Sequence, residues 1–254
     1  DEFDIEKCKI LFCMNDADLL KYTNHEDYTD IENNNYIKKI KSSLKSLILN
    51  KTNVIKRQYN KKGCNRMYCV GNGLQYFSNN ILQFILPENS CEYDMKNANP
   101  QILLYLYKKH DLNYNHLEYY CKNRNELLNQ DKLKKTDINK LLNQDHPKKQ
   151  NIKWLDNLIE EVNNNKSFLF SSEYDKINIE YQKEKKKISK NFLSSMCCSI
   201  IWYYENEILE KAISKYKCIV PKYDGFLTDE DIDINDLNDI SKEYDVKWDK
   251  KDFD

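Results

Sequence analysis

Apolar residues in this chain recur mostly at intervals of three and four, with a few short runs of strand-forming residues between. The first spacing predicts amphipathic helices and the second predicts strands. Ile37, Ile40, Leu44, Leu47 and Ile48 make one helical stripe behind the polar Asn33-Asn34-Asn35. A basic, turn-prone stretch follows, from Lys56-Arg57 through Lys61-Lys62-Gly63-Cys64-Asn65-Arg66. Met67-Tyr68-Cys69-Val70 predicts a short strand closed by Gly71-Asn72-Gly73. Leu74, Phe77, Ile81, Leu82 and Ile85 then resume helical spacing as far as Pro87.

Glu92-Tyr93-Asp94-Met95 predicts a second strand. Pro100 fits the first turn of a helix over Gln101–His110, with Ile102, Leu103, Leu106 and Tyr107 as its apolar stripe. Residues 115–145 read as helical, with a break at His146-Pro147. Trp154–Val162 predicts an amphipathic turn or two, and the charged stretch 171–190, with its basic run Lys183 to Lys190, a solvated helix or loop. The longest helix is expected over Asn191–Tyr216, with Phe192, Met196, Ile200, Ile201, Tyr204, Ile208, Ala212 and Ile213 inward. A strand–turn–strand follows: Cys218-Ile219-Val220, an exposed turn at Tyr223-Asp224-Gly225, and Phe226-Leu227. A last helix through Ile234, Leu237 and Ile240 leads to the strand-like Val246-Lys247-Trp248. The sum is an α+β fold that is predominantly helical.

At 254 residues there is length for one large domain or two closely packed small ones. An apolar share of 40% and 19 tyrosines exclude disorder for the chain as a whole. No internal repeat and no linker divides it. Residues 1–60 are expected to form an N-terminal helical extension and residues 61–254 the remaining domain. No apolar run reaches the roughly 20 residues that span a bilayer, and the N-terminus lacks the pattern of a signal peptide. The expectation is a soluble, intracellular protein without a membrane partner. The missing initiator Met points to a piece of a longer protein.

Nine cysteines form no Cys-x-x-Cys, and idle reduced thiols in a reducing compartment account for them better than zinc ligands. Charge is uneven. Thr228 to Asp254 holds eleven acidic residues against four lysines, so the preceding 227 residues carry about +6 within an overall −1. A modestly basic body is compatible with nucleic acid and does not establish it.

Two aspartates stand out. Asp94 ends a predicted strand and precedes a helix, and Asp224 lies at the tip of a predicted hairpin. Two-metal phosphoryl transfer needs carboxylates that converge from separate strands, and Mg²⁺ needs only one or two of them. By spacing alone the same residues also serve as a helix-start cap and a plain turn.

Tyr93-Asp94-Met95-Lys96-Asn97-Ala98-Asn99-Pro100, followed by Gln101-Ile102-Leu103-Leu104, resembles the first palm motif of the TV-Pol family. These are polymerases of transposons and viruses, related to family A DNA polymerases. Lys222-Tyr223-Asp224-Gly225-Phe226 is similar to the family's last palm motif. The resemblance runs from about Asn65-Arg66-Met67-Tyr68 to Val246-Lys247-Trp248. It implies a palm-like antiparallel sheet with a helical, fingers-like insertion. It also implies two Mg²⁺ ions, or Mn²⁺, on Asp94 and Asp224. Template-directed nucleotidyl transfer, as in DNA replication of a virus or mobile element, would be the activity. Its partners would be primer–template nucleic acid and a dNTP, with a helicase domain possible on the same parent chain. The implied nucleotide-binding residues are Arg124, Lys134, Lys135 and Asn99. Arg66, Asn191 and Glu205 are the implied nucleic-acid contacts, Arg66 having a salt bridge as its alternative and Asn191 and Glu205 a plain surface position as theirs.

The sequence departs from the family in three places. Asn99 and Tyr223 stand where members commonly have His, and Asn143 is followed by Gln144-Asp145-His146 where a Gly-containing turn is usual. The alternatives are an inactive, palm-derived module that binds nucleic acid or protein, and an unrelated helical interaction module.

Overall fold

The computed structural model describes residues 3–23, 30–50, 59–61, 65–70 and 73–252. Most of the basic turn-prone stretch before Asn65, and Gly71-Asn72, lie outside the described residues. Three helices open the chain: α1 (Ile5–Cys13), α2 (Asp16–Tyr22) and α3 (Asp30–Leu49). A hairpin of β1 (Tyr59–Lys61) and β2 (Met67–Cys69) follows, and then α4 (Asn79–Ile85). The first strand of the main sheet, β3 (Cys91–Lys96), runs into α5 (Ala98–Lys109).

A helical excursion separates β3 from its partners. It comprises α6 (Asn115–Gln130), α7 (Lys135–Leu142), α8 (Lys153–Ser172), α9 (Ile179–Ile188) and α10 (Phe192–Lys215). The chain then returns with β4 (Val220–Pro221), β5 (Gly225–Thr228), α11 (Ile234–Ile240) and β6 (Lys247–Asp252). The four strands form an antiparallel sheet in the order β4-β5-β3-β6. The fold is therefore α+β and mostly helical.

Helix positions follow the periodicity, and lengths follow tertiary partners. α10 starts and stops within one residue of the expected Asn191–Tyr216. The helix expected over 115–145 is two helices, broken at Lys132, whose backbone is left-handed (φ 52°). α8 is far longer than the expected turn or two over Trp154–Val162. Its inner face continues through buried Asn165 and Lys166, which an apolar count misses. Asn165 donates to the Asn113 carbonyl at 2.7 Å, and Lys166 to the Gln144 carbonyl at 2.6 Å. Burying them is possible because both are hydrogen-bonded.

The sheet separates two cores. Tyr93, Met95, Phe226 and Trp248 point to one side, against α5, α8, α10 and α11. Tyr93 stacks on Phe226, and Trp248 meets Phe226 edge-on. On the other side Val220 and Leu227 join Phe3, Leu11, Ile40, Leu44 and Ile81. Residues before and after position 60 thus share one core. The N-terminal helices cover the β4–β5 part of that second face, and the part holding Asp94 faces a groove.

Candidate active site

β3 delivers Asp94 and turns at once into α5. The turn falls on Asn97, in the left-handed region (φ 55°, ψ 36°), which Asn tolerates better than most residues. Pro100 lies in the first turn of α5, where its missing N–H costs nothing. Asp224 occupies the tip of the β4–β5 hairpin, where the Lys222 amide donates to the Gly225 carbonyl at 2.8 Å. Asp94 pairs with Gly225 in the ladder, and the Met95 amide donates to the Asp224 carbonyl at 2.7 Å. The two aspartates are therefore neighbours, Asp94 in β3 and Asp224 in the turn just before β5, although the hairpin is more than 120 residues further along the chain. Asp224 is half-buried, unlike the exposed turn residue expected.

Their charges interact. Burial, and then the negative charge of Asp224, push the Asp94 carboxyl above its ordinary value of 3.8, against the opposing pull of Lys251 and Lys135. A third carboxyl lies close by, on α10. Glu205 is pushed up to about 8, first by burial and then by the charges of Asp224 and Asp94, with Arg66 opposing.

Arg66 makes the salt bridge that was its structural alternative. Its Nη2 lies 3.3 Å from Glu205 Oε2, and its guanidinium lies over Trp202 at 4.5 Å and over Tyr223 at 4.7 Å. Glu205 is 1% exposed, so its carboxyl does not face a template or primer as expected. The physical reason is helical phase: Ile201, Glu205 and Ile208 fall on one face of α10, and that face is buried.

Asn191 is placed elsewhere. Fourteen residues separate it from Glu205, or roughly 21 Å along a helix. Its side chain accepts from the Asp145 amide at 3.1 Å, and the Asp145 carboxylate caps α10 by accepting from Leu193 and Ser194 amides at 3.0 and 2.7 Å. Asn191 thus belongs to a helix cap. The Asn143-Gln144-Asp145 sequence that departs from a glycine turn supplies that cap.

Beside Asp94 opens a groove of about 730 Å³. Among the described residues its lining holds six basic side chains against three acidic ones. Arg124 and Lys135 are among them. Arg124 Nη1 donates to Asn97 Oδ1 at 2.8 Å, which ties α6 to the turn after β3. Lys134 precedes α7, is exposed, and does not line the groove. Asn99 is separated from this set. It lines a second cavity, of about 250 Å³, with Arg66, Asn143, Lys166 and Trp202. Both openings share α7: Lys135 faces the groove, while Asn139, Leu142 and Asn143, four, seven and eight residues on, face the cavity.

Lys251 and Lys247 line the groove too and are not among the residues expected from sequence. Their signal is the alternation Lys247-Trp248-Asp249-Lys250-Lys251, a strand pattern with one charged face inside an acidic tail. Trp202 and Lys166 carry no comparable local signal, since each becomes a site residue only through its tertiary neighbours.

A divalent cation fits the donor set. Two neighbouring carboxylates, of which Asp94 is raised first by burial and then by the charge of Asp224, supply the hard oxygen ligands that Mg²⁺ prefers. Among the described residues no group of three or more His, Cys, Asp or Glu side chains is gathered to hold a metal ion. Phosphate oxygens and water ordinarily complete a Mg²⁺ shell held by one or two carboxylates.

No protein-family model matches the chain, and no curated protein matches its sequence. Among the described residues no helix is long and apolar enough to cross a membrane.

Proposed function

We propose that the chain is a template-directed nucleotidyltransferase of the DNA-polymerase type, acting in replication of a virus or mobile element. The observation that carries this reading is the meeting of Asp94, which lines a basic groove, with Asp224, which the hairpin before β5 brings beside it. In the reaction a primer 3′-hydroxyl attacks the α-phosphate of a dNTP. An O–P bond forms as the hydroxyl proton passes to water, the α-phosphorus bond to the oxygen bridging to the β-phosphate breaks, and pyrophosphate leaves. Mg²⁺ bound by Asp94 and Asp224 would activate the attacking oxygen and offset charge on the leaving group.

The chain's own residues do the rest. Lys135 and Arg124 place positive charge where the β- and γ-phosphates would lie, because phosphoryl transfer depends on positioning and charge stabilisation. α7 gives the nucleotide its direction: phosphates against Lys135, and the planar base toward the cavity of Asn139, Leu142 and Asn143. Arg66, held between Trp202 and Tyr223 and paired with Glu205, braces the hairpin that carries Asp224. This reading supplies the palm-like sheet, the fingers-like excursion and the nucleic-acid partner.

The test is primer extension on a DNA template with Mg²⁺ and then Mn²⁺, beside Asp224→Asn. Template-dependent extension by the wild type, lost in the variant by at least about a thousandfold, is the expected result. Folded protein that extends with neither metal would favour a non-catalytic, palm-derived binding module. Extension that survives Asp224→Asn would remove Asp224 from the site.

A further inference from the structure

The C-terminal strand brings to the aspartates a cation that the resemblance does not assign. Among the described residues β6 is an edge strand that pairs with β3 alone, in the register Asp94↔Asp249, Glu92↔Lys251 and Lys96↔Lys247. Residues directly opposed across a ladder share a face of the sheet. Lys247, Asp249 and Lys251 therefore stand on the aspartate face while Trp248 enters the core.

Lys251 is opposite Glu92, yet it pairs with Asp94. Glu92 is held by Lys222 at 2.9 Å, and the same ammonium reaches Asn79 Oδ1 at 2.8 Å. Lys251 instead reaches diagonally to Asp94. Its side chain stays half-exposed and lines the groove, whereas Asp94 is only 20% exposed. The ammonium thus stands where the groove meets the carboxylate. A divalent ion would need that place, and an anion in the groove would lie within its reach.

We propose that Lys251 is the resident counter-ion of the aspartate pair. In the free protein its ammonium occupies the cation position at Asp94, and it gives way when a divalent ion binds. It then turns into the groove to hold a phosphate of a nucleoside triphosphate. The exchange makes and breaks ion pairs only, Lys251–Asp94 for Lys251–phosphate, and a compact charge on a flexible four-carbon stem suits it. This inference rests on the nucleotidyltransferase reading and adds to it a residue that arrives on the last strand.

Mn²⁺ alone, titrated calorimetrically into the full chain, tests it. Lys251→Met is expected to bind Mn²⁺ about tenfold more tightly, which corresponds to Asp94 being taken by Lys251 roughly nine-tenths of the time. Lys247→Met, a groove lysine further along the same strand, reports what removing one nearby charge does and should move the affinity by only about twofold. In saturating Mn²⁺ the Lys251→Met variant is expected to bind a nucleoside triphosphate about tenfold more weakly. Opposite movement of the two affinities is the signature, since mere damage to the strand would weaken both. Lys251→Gln serves as a second variant, and circular dichroism checks that each protein is folded.

Mn²⁺ affinity that is unchanged or weaker in both Lys251 variants, or a Lys247→Met effect as large, overturns the proposal. Mn²⁺ binding by the wild type that ignores Asp224→Asn overturns the metal-site reading beneath it as well.

Discussion

A β-carbon added to Gly225 would lie 2.2 Å from the carbonyl oxygen of Tyr93. The hairpin and β3 therefore approach at this point more closely than any side chain permits, and that approach holds Asp224 beside Asp94. The colliding atoms are backbone, which cannot swing aside as a flexible side chain can. Gly225→Ala is expected to lower stability by roughly 2–3 kcal/mol, read as a lower urea midpoint. The variant is also expected to lose nucleotide incorporation. A midpoint equal to that of the wild type would contradict the close approach.

Lys135 lines the groove and lowers the Asp94 pKa by its charge, whereas Lys134 lies outside the groove lining. A charge-assisted contact to phosphate contributes about 1.5–3 kcal/mol. Lys135→Ala should accordingly raise the KM for dNTP by about tenfold or more, and Lys134→Ala should leave it near the wild-type value. Steady-state kinetics on the two variants would decide which lysine meets the phosphates.

Tyr93 anchors the loop before α11. Its hydroxyl accepts from the Ile232 amide at 2.7 Å and donates to the Ile232 carbonyl at 3.0 Å. Tyr93→Phe leaves both buried backbone groups without that partner. The expected cost is about 1–3 kcal/mol, visible as a lower thermal midpoint, with the sheet otherwise intact because the ring still stacks on Phe226. An unchanged midpoint would show that another group takes over both bonds.

Glu173 is 2% exposed and serves three partners. Lys109 Nζ and His110 Nε2 each lie 2.6 Å from its Oε1, and the Tyr204 hydroxyl donates to Oε2 at 2.6 Å. Burial alone would raise its pKa. The bonds from Lys109, Tyr204 and His110 outweigh burial and hold it below the ordinary 4.5. A lowered folded pKa means that the charged form stabilises the fold at pH values above 4.5, and that this contribution is lost as pH falls through the folded value. Glu173→Gln is expected to cost about 2 kcal/mol at neutral pH. The gap between variant and wild type should stay constant above pH 5.5 or so and shrink in more acid solution. A gap that widens on acidification would reverse the sign of the argument.

Much of the fold could be read from residue spacing. α10 is nearly all its own periodicity: Met196, Ile200, Ile201, Tyr204 and Ile208 recur on one side, and the helix ends within a residue of expectation. β3 and the β4–β5 hairpin are legible in the same way, as short apolar runs either side of a turn, although β4 extends to Pro221 and β5 already begins at Gly225. Where the inner face of a helix is polar, spacing fails. α8 continues inward through Glu161, Asn165 and Lys166 because partners elsewhere in the chain satisfy them, and those partners cannot be counted along the helix.

The candidate site divides along the same line. Asp94 and Asp224 are readable from sequence because each sits in a short word with a local cause, a strand end before a helix and a hairpin tip before a glycine. Tertiary structure alone decided the rest. It turned Glu205 inward against Arg66, sent Asn191 to a helix cap, parted Asn99 from Arg124, and brought Lys251 to Asp94 from 157 residues away. Local chemistry sets which residues begin, end and cap an element. Which charges face one another depends on strand register and helix phase, and these are settled only when distant segments bury their apolar faces together.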